Sequence, residues 1–374
     1  MKISKNILAG ATLIGTIIGA GVFAIPYVFS RSGVITCLVY FLVLTPVAIL
    51  LHLFFGEITL RTNEEQRLVG YTERYLGKKP KHLVAASIIT GTIGSLLVYV
   101  ILAGKFLDII FPHFLSASQL SVLAWGVLAA LVLSGTNFIS FIEMTVGGVF
   151  LVVVALISLF CLPHLNTTHF VLFNSQKMFL PFGVFMFALV GWSVVGEVED
   201  ILTNKKDLKT VIIGAVLFCA VLYCIFGLIV SGVTGVATTP DSLSGLAGAF
   251  GYKAMFFGAL FGLLAVGTSF LTLANYLKNT FIFDYKFAPS WAFIMACFPA
   301  LLLFMAGLRN FVAVISVLGT IIGLVEGVSL VLIYKKSKKF GDRVPEFSLK
   351  TPTPLLCLII LILVGGTLVQ LFYR

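Results

Sequence analysis

Eleven stretches of this chain run for roughly 20 residues each with almost no charge, the length of one bilayer crossing. They lie near 6–29, 34–55, 83–111, 120–136, 141–163, 178–196, 210–235, 254–277, 289–308, 311–334 and 353–373. A segment this long and apolar can sit in hydrocarbon only if its backbone groups bond within the segment, so each run predicts a membrane-spanning α-helix. A barrel would instead alternate apolar and polar residues in short strands between turns, and no such alternation is present. Composition excludes a soluble alternative. Hydrophobic residues make up 59% and charged residues 11% of the 374 positions, and the mean hydropathy is +1.11. A soluble domain carries about a quarter charged residues to hydrate its surface. The fold class is all-α and polytopic, in one transmembrane domain over 1–374.

The net charge of +10 does not point to nucleic acid, because the basic residues cluster in short connectors between the runs. With the N-terminus in the cytoplasm, nineteen Lys and Arg fall in inner segments and five in outer ones, with Lys105 inside a span. That asymmetry is the positive-inside pattern of a cytoplasmic (inner) membrane protein, and it places the C-terminus outside. The six cysteines (Cys37, Cys161, Cys219, Cys224, Cys297 and Cys357) lie in or beside apolar runs without CxxC or metal-ligand spacing, and read as small helix residues. The opening Met1–Lys5 and its apolar run resemble a secretory signal. Everything downstream is equally apolar, so a retained first helix is expected.

The first five spans (about 6–163) and the next five (about 178–334) are nearly equal in length, and the eleventh (about 353–373) stands outside them. Each half opens on a glycine-interrupted span, Gly15 to Gly21 in one and Gly183 to Gly196 in the other. Five is odd, so the second half must cross the membrane inverted relative to the first. Inverted repeats that begin with broken helices are a transporter architecture, with the binding site at the breaks.

The first span reads Gly15-Thr16-Ile17-Ile18-Gly19-Ala20-Gly21-Val22-Phe23. Its three glycines each weaken a helix by roughly 1 kcal/mol relative to alanine and allow a ligand close to the backbone. A break near Gly19–Gly21 would offer the N–H groups and positive dipole end of the following half-helix to a carboxylate. Packing of small residues between helices is the competing use of such glycines.

This string resembles the first-helix signature of the amino acid–polyamine–organocation superfamily, which has the LeuT-type fold. The sixth span, Pro181-Phe182-Gly183-Val184-Phe185-Met186-Phe187-Ala188-Leu189-Val190-Gly191, resembles that of its amino acid/auxin permease branch. The eighth, Gly267-Thr268-Ser269-Phe270-Leu271, is similar to that of the aromatic and hydroxy amino acid permeases. The resemblance implies a substrate carboxylate on main-chain N–H groups of Thr16, Ile17, Gly19, Ala20 and Gly21. It implies a substrate amine on carbonyls at Phe187, Ala188 and Val190, beside Gly191, with Phe187 as a gate. It also implies a candidate sodium site from carbonyls of Gly15, Ile18 and Ala265 and hydroxyls of Thr268 and Ser269. Hydroxyls that merely bond within their own helix are the alternative. Sodium or a proton stays open as the coupling ion, and no other cofactor is implied.

Ionisable side chains inside spans are costly and mark function. Glu326 lies deep in the tenth span and suits a protonatable coupling group or a gate. Lys105 and Asp108 are three apart on the third span, share a face and can pair as an outer structural or gating pair. Glu57, Glu143, Glu197 and Glu199 lie near span ends, where interfacial water would solvate them, and Arg31 suits an outer-gate cation. The five histidines lie at connectors or span ends and do not suggest a metal site. The connector 56–82 can form an amphipathic inner helix, matched outside by 235–250 with Asp241.

A nucleotide-hydrolysing pump would need a Walker string and the metalloprotease or hydrolase alternatives a His-Glu-x-x-His or Gly-x-Ser-x-Gly string, none of which is present. A channel would need a filter loop or charged ring. The expectation is therefore no enzyme but a secondary active, alternating-access transporter of neutral amino acids, aromatic ones among them. Its partners are the bilayer and the small-molecule substrate. The amino acid itself, symport against exchange, the eleventh span's role and the oligomeric state stay open, as does a channel or a carrier of another solute.

Overall fold

The computed structural model describes residues 4–64, 66–133, 148, 151–283 and 285–372, and all regular structure among them is helical. Five elements precede the first long connector: α1 (Lys5–Ile17), α2 (Gly21–Ser32), α3 (Val34–Arg61), α4 (Leu68–Leu76) and α5 (Lys78–Ile110). Then follow α6 (Ala117–Val132) and α7 (Leu151–His164). Two short helices, α8 (Leu180–Ala188) and α9 (Val195–Ile201), make up the sixth run; after them come α10 (Leu208–Thr234), α11 (Leu243–Phe250) and α12 (Tyr252–Phe283). The chain ends in α13 (Pro289–Met305), α14 (Phe311–Ile321), α15 (Val328–Phe340) and α16 (Thr353–Phe372). Glu143 and most of the first half of the predicted fifth span lie outside the described residues.

Seven of these helices or helix pairs are long and apolar enough to cross a membrane, eight with the α1–α2 pair, which bends by 57° at its break. α6, α7 and α13 are shorter apolar helices. Local sequence accounts for several ends. Ser116 and Gln119 form a reciprocal capping box at the start of α6, and Asn310 accepts from the Ala313 N–H to start α14, each satisfying N–H groups the helix leaves free. Gly33 turns α2 into α3 at φ 95°, where an added Cβ would also meet the Leu172 carbonyl at 2.6 Å.

α5 is the central strut, packed along α12, α6, α4, α13 and α14, while α10 packs against α1, α2 and α3. α3 runs on to Arg61, beyond the predicted end near residue 55. Its last turn is stabilised by chain from the far end of the protein. Glu57 accepts from Arg61 at 2.8 Å, from the Ser348 hydroxyl at 3.0 Å and from the Leu349 N–H at 2.7 Å. Glu57 is fully buried, which corrects the expectation of interfacial solvation. The extension also places His52 inside a helix, fully buried, and not at a span end. The eleventh run, α16, docks on α14 through Gln370, whose Oε1 accepts from Thr320 at 2.9 Å and whose Nε2 donates to Ser316.

Candidate functional site

Both glycine-marked spans are broken, and the breaks touch. In a continuous helix the Gly19 N–H would bond the Gly15 carbonyl; here it turns to the Ile17 carbonyl at 3.0 Å. The Val22 N–H bonds Gly19, so the Ile18 carbonyl is released as well. Ala20 and Gly21 stand at the start of α2, where helical geometry leaves the first N–H groups without intrahelical acceptors. In the sixth span the Val190 N–H bonds Phe187, and residues 189–191 unwind before a single 3₁₀ turn, Trp192–Val194. Gly21 presses on Ala188 so closely that a Cβ there would lie 2.8 Å from both the Ala188 Cα and Cβ. Gly191 likewise admits Ile17, whose Cγ1 would be 2.4 Å from an added Cβ. Gly21 thus allows close approach of two backbones, and Gly191 makes room for the Ile17 side chain.

The result is a junction of opposite polarity. One side presents N–H groups and the positive end of α2, the other the unwound carbonyls of Leu189 and Val190, while those of Phe187, Ala188 and Gly191 accept from the Val190 N–H, the Tyr223 hydroxyl and the Val194 N–H. The structure narrows the predicted carboxylate stretch. Thr16 and Ile17 lie within α1, so their N–H groups belong to its helical ladder, and the Thr16 hydroxyl bonds back to Thr12. Ala20 and Gly21 remain, with Gly19 beside the Tyr99 hydroxyl. Phe187 is half-buried on the last turn of α8. The Ala188 carbonyl is already taken by the Tyr223 hydroxyl at 3.1 Å, and the same hydroxyl lies 2.8 Å from the Ile17 carbonyl.

A small cavity of about 10 Å³ lies between the first break and α12, lined by Ile18, Gly19, Ala20, Phe23, Ala265, Val266 and Ser269. That is room for about one water-sized particle. Three of the predicted cation ligands, Ile18, Ala265 and Ser269, are therefore brought together. The other two are not. The Thr268 hydroxyl bonds Leu264 and Ala265 of its own helix, both at 3.0 Å, and Gly15 lies on the exposed face of α1.

Glu326 is buried and accepts from Ser87 at 3.2 Å and from the Trp192 indole at 3.1 Å, so it faces the unwound segment. Lys105 pairs with Asp241 at 3.2 Å rather than with Asp108. The connector 235–250, not the same helix face, supplies the fully buried carboxylate. Arg31 stacks over Tyr27 at 5.1 Å, and Glu199 pairs with Lys205 at 2.9 Å. Tyr223, Trp192 and His52 were not singled out by sequence, since each sits in an apolar run with the spacing of an ordinary packed face.

Residues 3–370 match the tryptophan/tyrosine permease family. No curated protein matches by sequence. Among solved structures, MhsT in complex with L-phenylalanine superposes with TM-score 0.61 at 16% identity, over 99% of this chain and 98% of that one. Mhp1 in an inward-facing conformation superposes with TM-score 0.62 at 13% identity, over 88% of this chain and 76% of that one. Both are LeuT-fold transporters, and the fold here is theirs.

Proposed function

Because the chain belongs to the tryptophan/tyrosine permease family, we propose that the junction of its two breaks carries an aromatic amino acid as a zwitterion. The contact of Gly21 with Ala188 is the observation that carries this reading. It brings the start of α2, with the N–H groups of Ala20 and Gly21, against the end of α8 next to the unwound Val190, which supports a cradle for an α-carboxylate on one side and an α-ammonium on the other. Gly19 gives the ligand access to backbone. The walls nearby are aromatic: Phe23 and Phe106 lie 4.9 Å apart, and Tyr99 is close to Gly19.

The halves 6–163 and 178–334 act as inverted repeats that rock about this junction, with the N-terminus and α4 in the cytoplasm and the C-terminus outside, in the inner membrane. Sodium fits the cavity as a co-transported ion, because its ligands, the Ile18 and Ala265 carbonyls and the Ser269 hydroxyl, are the hard oxygens such a cation takes. The test is counterflow in proteoliposomes. Labelled tryptophan, tyrosine or phenylalanine is expected to enter saturably and faster when the lumen holds unlabelled substrate. No saturable entry of any common amino acid would refute the reading. Ser269→Ala is expected to abolish sodium dependence; equal uptake of the unaltered protein without sodium would refute the cation site.

A further inference from the structure

The tenth span changes geometry at its middle. Between α14 and α15, Ile322–Gly327 form a π-helical turn, an irregularity that often marks functional positions. Glu326 on this turn is only 7% exposed, and its two bonds come from the neutral donors Ser87 and Trp192. Among the described residues it has no ion-pair partner. On the other side of Trp192, the fully buried His52 meets the indole edge-on, with ring centroids 5.6 Å apart. His52 Nδ1 lies 2.8 Å from the Ala48 carbonyl. A carbonyl only accepts, so Nδ1 holds the hydrogen and the neutral ring presents a lone pair at Nε2. That Nε2 is buried without a partner among the described residues, and it lies 3.1 Å from where a Cβ on Gly191 would be.

We propose that Glu326 and His52 form a proton-binding site around Trp192 that couples proton uptake and release to movement of the broken sixth span. An acid and a base flank the residue that directly follows the break. As a carboxylate, Glu326 holds the Trp192 N–H by a charge-assisted bond, about twice as strong as a neutral one. One proton on Glu326 weakens that hold and frees the start of α9. One proton on His52 turns Nε2 from acceptor to donor against Gly191 of the unwound segment. Either change alters the restraint on the junction, so the proposal rests on that junction being the substrate cradle. The other titratable groups on the packed elements have partners or lie along the helices away from the turn. Glu57 on α3 pairs with Arg61, Tyr334 on α15 bonds Leu349, and Tyr223 on α10 bonds Ile17. His82 precedes Ser87 by five residues on α5, Glu197 follows Trp192 by five, and α16 contributes Cys357; α8 and α14 contribute none.

The direct test uses Trp192 as its own reporter. Trp125→Phe/Trp291→Phe leaves it as the sole tryptophan of the three, and its fluorescence is titrated against pH in detergent without substrate. A midpoint is expected that is lost in Glu326→Gln and moved to higher pH in Ser87→Ala, which removes one donor to the carboxylate; a titration that persists in Glu326→Gln should be lost when His52→Gln is added. A titration identical in all three proteins overturns the proposal. In proteoliposomes with equal sodium on both sides, an inward proton gradient should accumulate labelled L-tryptophan. The ratio of that accumulation to counterflow should fall at least tenfold in Glu326→Gln and markedly in His52→Gln. An unchanged ratio also overturns it. Absence of counterflow alongside the expected titration would instead overturn the substrate reading alone.

Discussion

Tyr223 has one hydroxyl hydrogen and two carbonyls within reach, one from each broken span. In a continuous sixth span the Ala188 carbonyl would accept from the Trp192 N–H. Unwinding removes that donor, and the phenol replaces it. Tyr223→Phe keeps the ring and leaves a fully buried carbonyl short of its donor, at a cost of about 1–3 kcal/mol. A lower thermal unfolding midpoint and a raised counterflow KM are expected together; a variant that matches the original protein in both would deny the phenol its bridging role. Gly21→Ala is the harsher change. Its Cβ would meet main-chain and Cβ atoms of Ala188 at 2.8 Å, and neither can swing aside. Counterflow should drop at least tenfold, measured at matched protein content. Glycine spacing made the second of these positions readable in advance. Tyr223 was not readable, because its partners lie 206 and 35 residues away and its own run is uniformly apolar.

At the scale of elements, the breaks were legible because glycine and unwinding go together, whereas the π turn and the end of α3 were not. A π turn is an extra residue in register, and register is set by what packs on each side. The end of α3 depends on residues 341–350, which cross over it. Asp342 and Arg343 N–H groups bond the Arg61 carbonyl, Arg74 of α4 pairs with Asp342, and Ser348 and Leu349 close on Glu57. This strap joins α3, α4 and α15 into one unit. Glu57→Ala would remove the acceptor of the Leu349 N–H and of the partly exposed Arg61 guanidinium, which keeps its bond to Ser348, a loss of about 1–3 kcal/mol, and the unfolding midpoint should fall accordingly. Glu57→Gln retains acceptor capacity and should fall less. At the junction of α4 and α5, the Lys81 hydrogen bond holds the Glu73 carboxyl below its ordinary value. A depressed carboxyl stabilises the fold above its unfolded value and loses that effect as pH falls through the folded one. Amide protection factors over 68–82, corrected for the intrinsic pH dependence of exchange, should therefore fall selectively on acidification, and Lys81→Met should abolish the selectivity.

The molecule as a whole is asymmetric about its junction. Beside α1 lies a groove of about 490 Å³ that includes Asn6, Ile14, Asp207 and Phe218, where a 2.9 Å bond from Asn6 to Asp207 ties the start of α1 to the α9–α10 connector. At the opposite end the connector 235–250 is fastened down. Ser242, held at a φ of 62°, donates its hydroxyl to the Phe23 carbonyl at 2.5 Å. Next to it, Asp241 receives Lys105 of α5 at 3.2 Å and the Ser244 N–H at 2.8 Å. α2, α5 and α11 are thereby locked over the first break from one side. Asp241→Asn preserves an acceptor for Ser244 and removes only the charge pair, and because the Lys105 side chain is 30% exposed, solvent compensates much of the loss. A pair of this exposure is worth up to about 1 kcal/mol, which corresponds to about a fivefold change in how often the lock opens. Amide exchange over 238–250 should accelerate by about that factor in Asp241→Asn and in Lys105→Met, with exchange over 78–100 unchanged. Counterflow, which requires both faces to open in turn, should change in rate more than in KM. If exchange over 238–250 stays the same in both variants, the pair is not a lock and closure of that end rests on Ser242 alone.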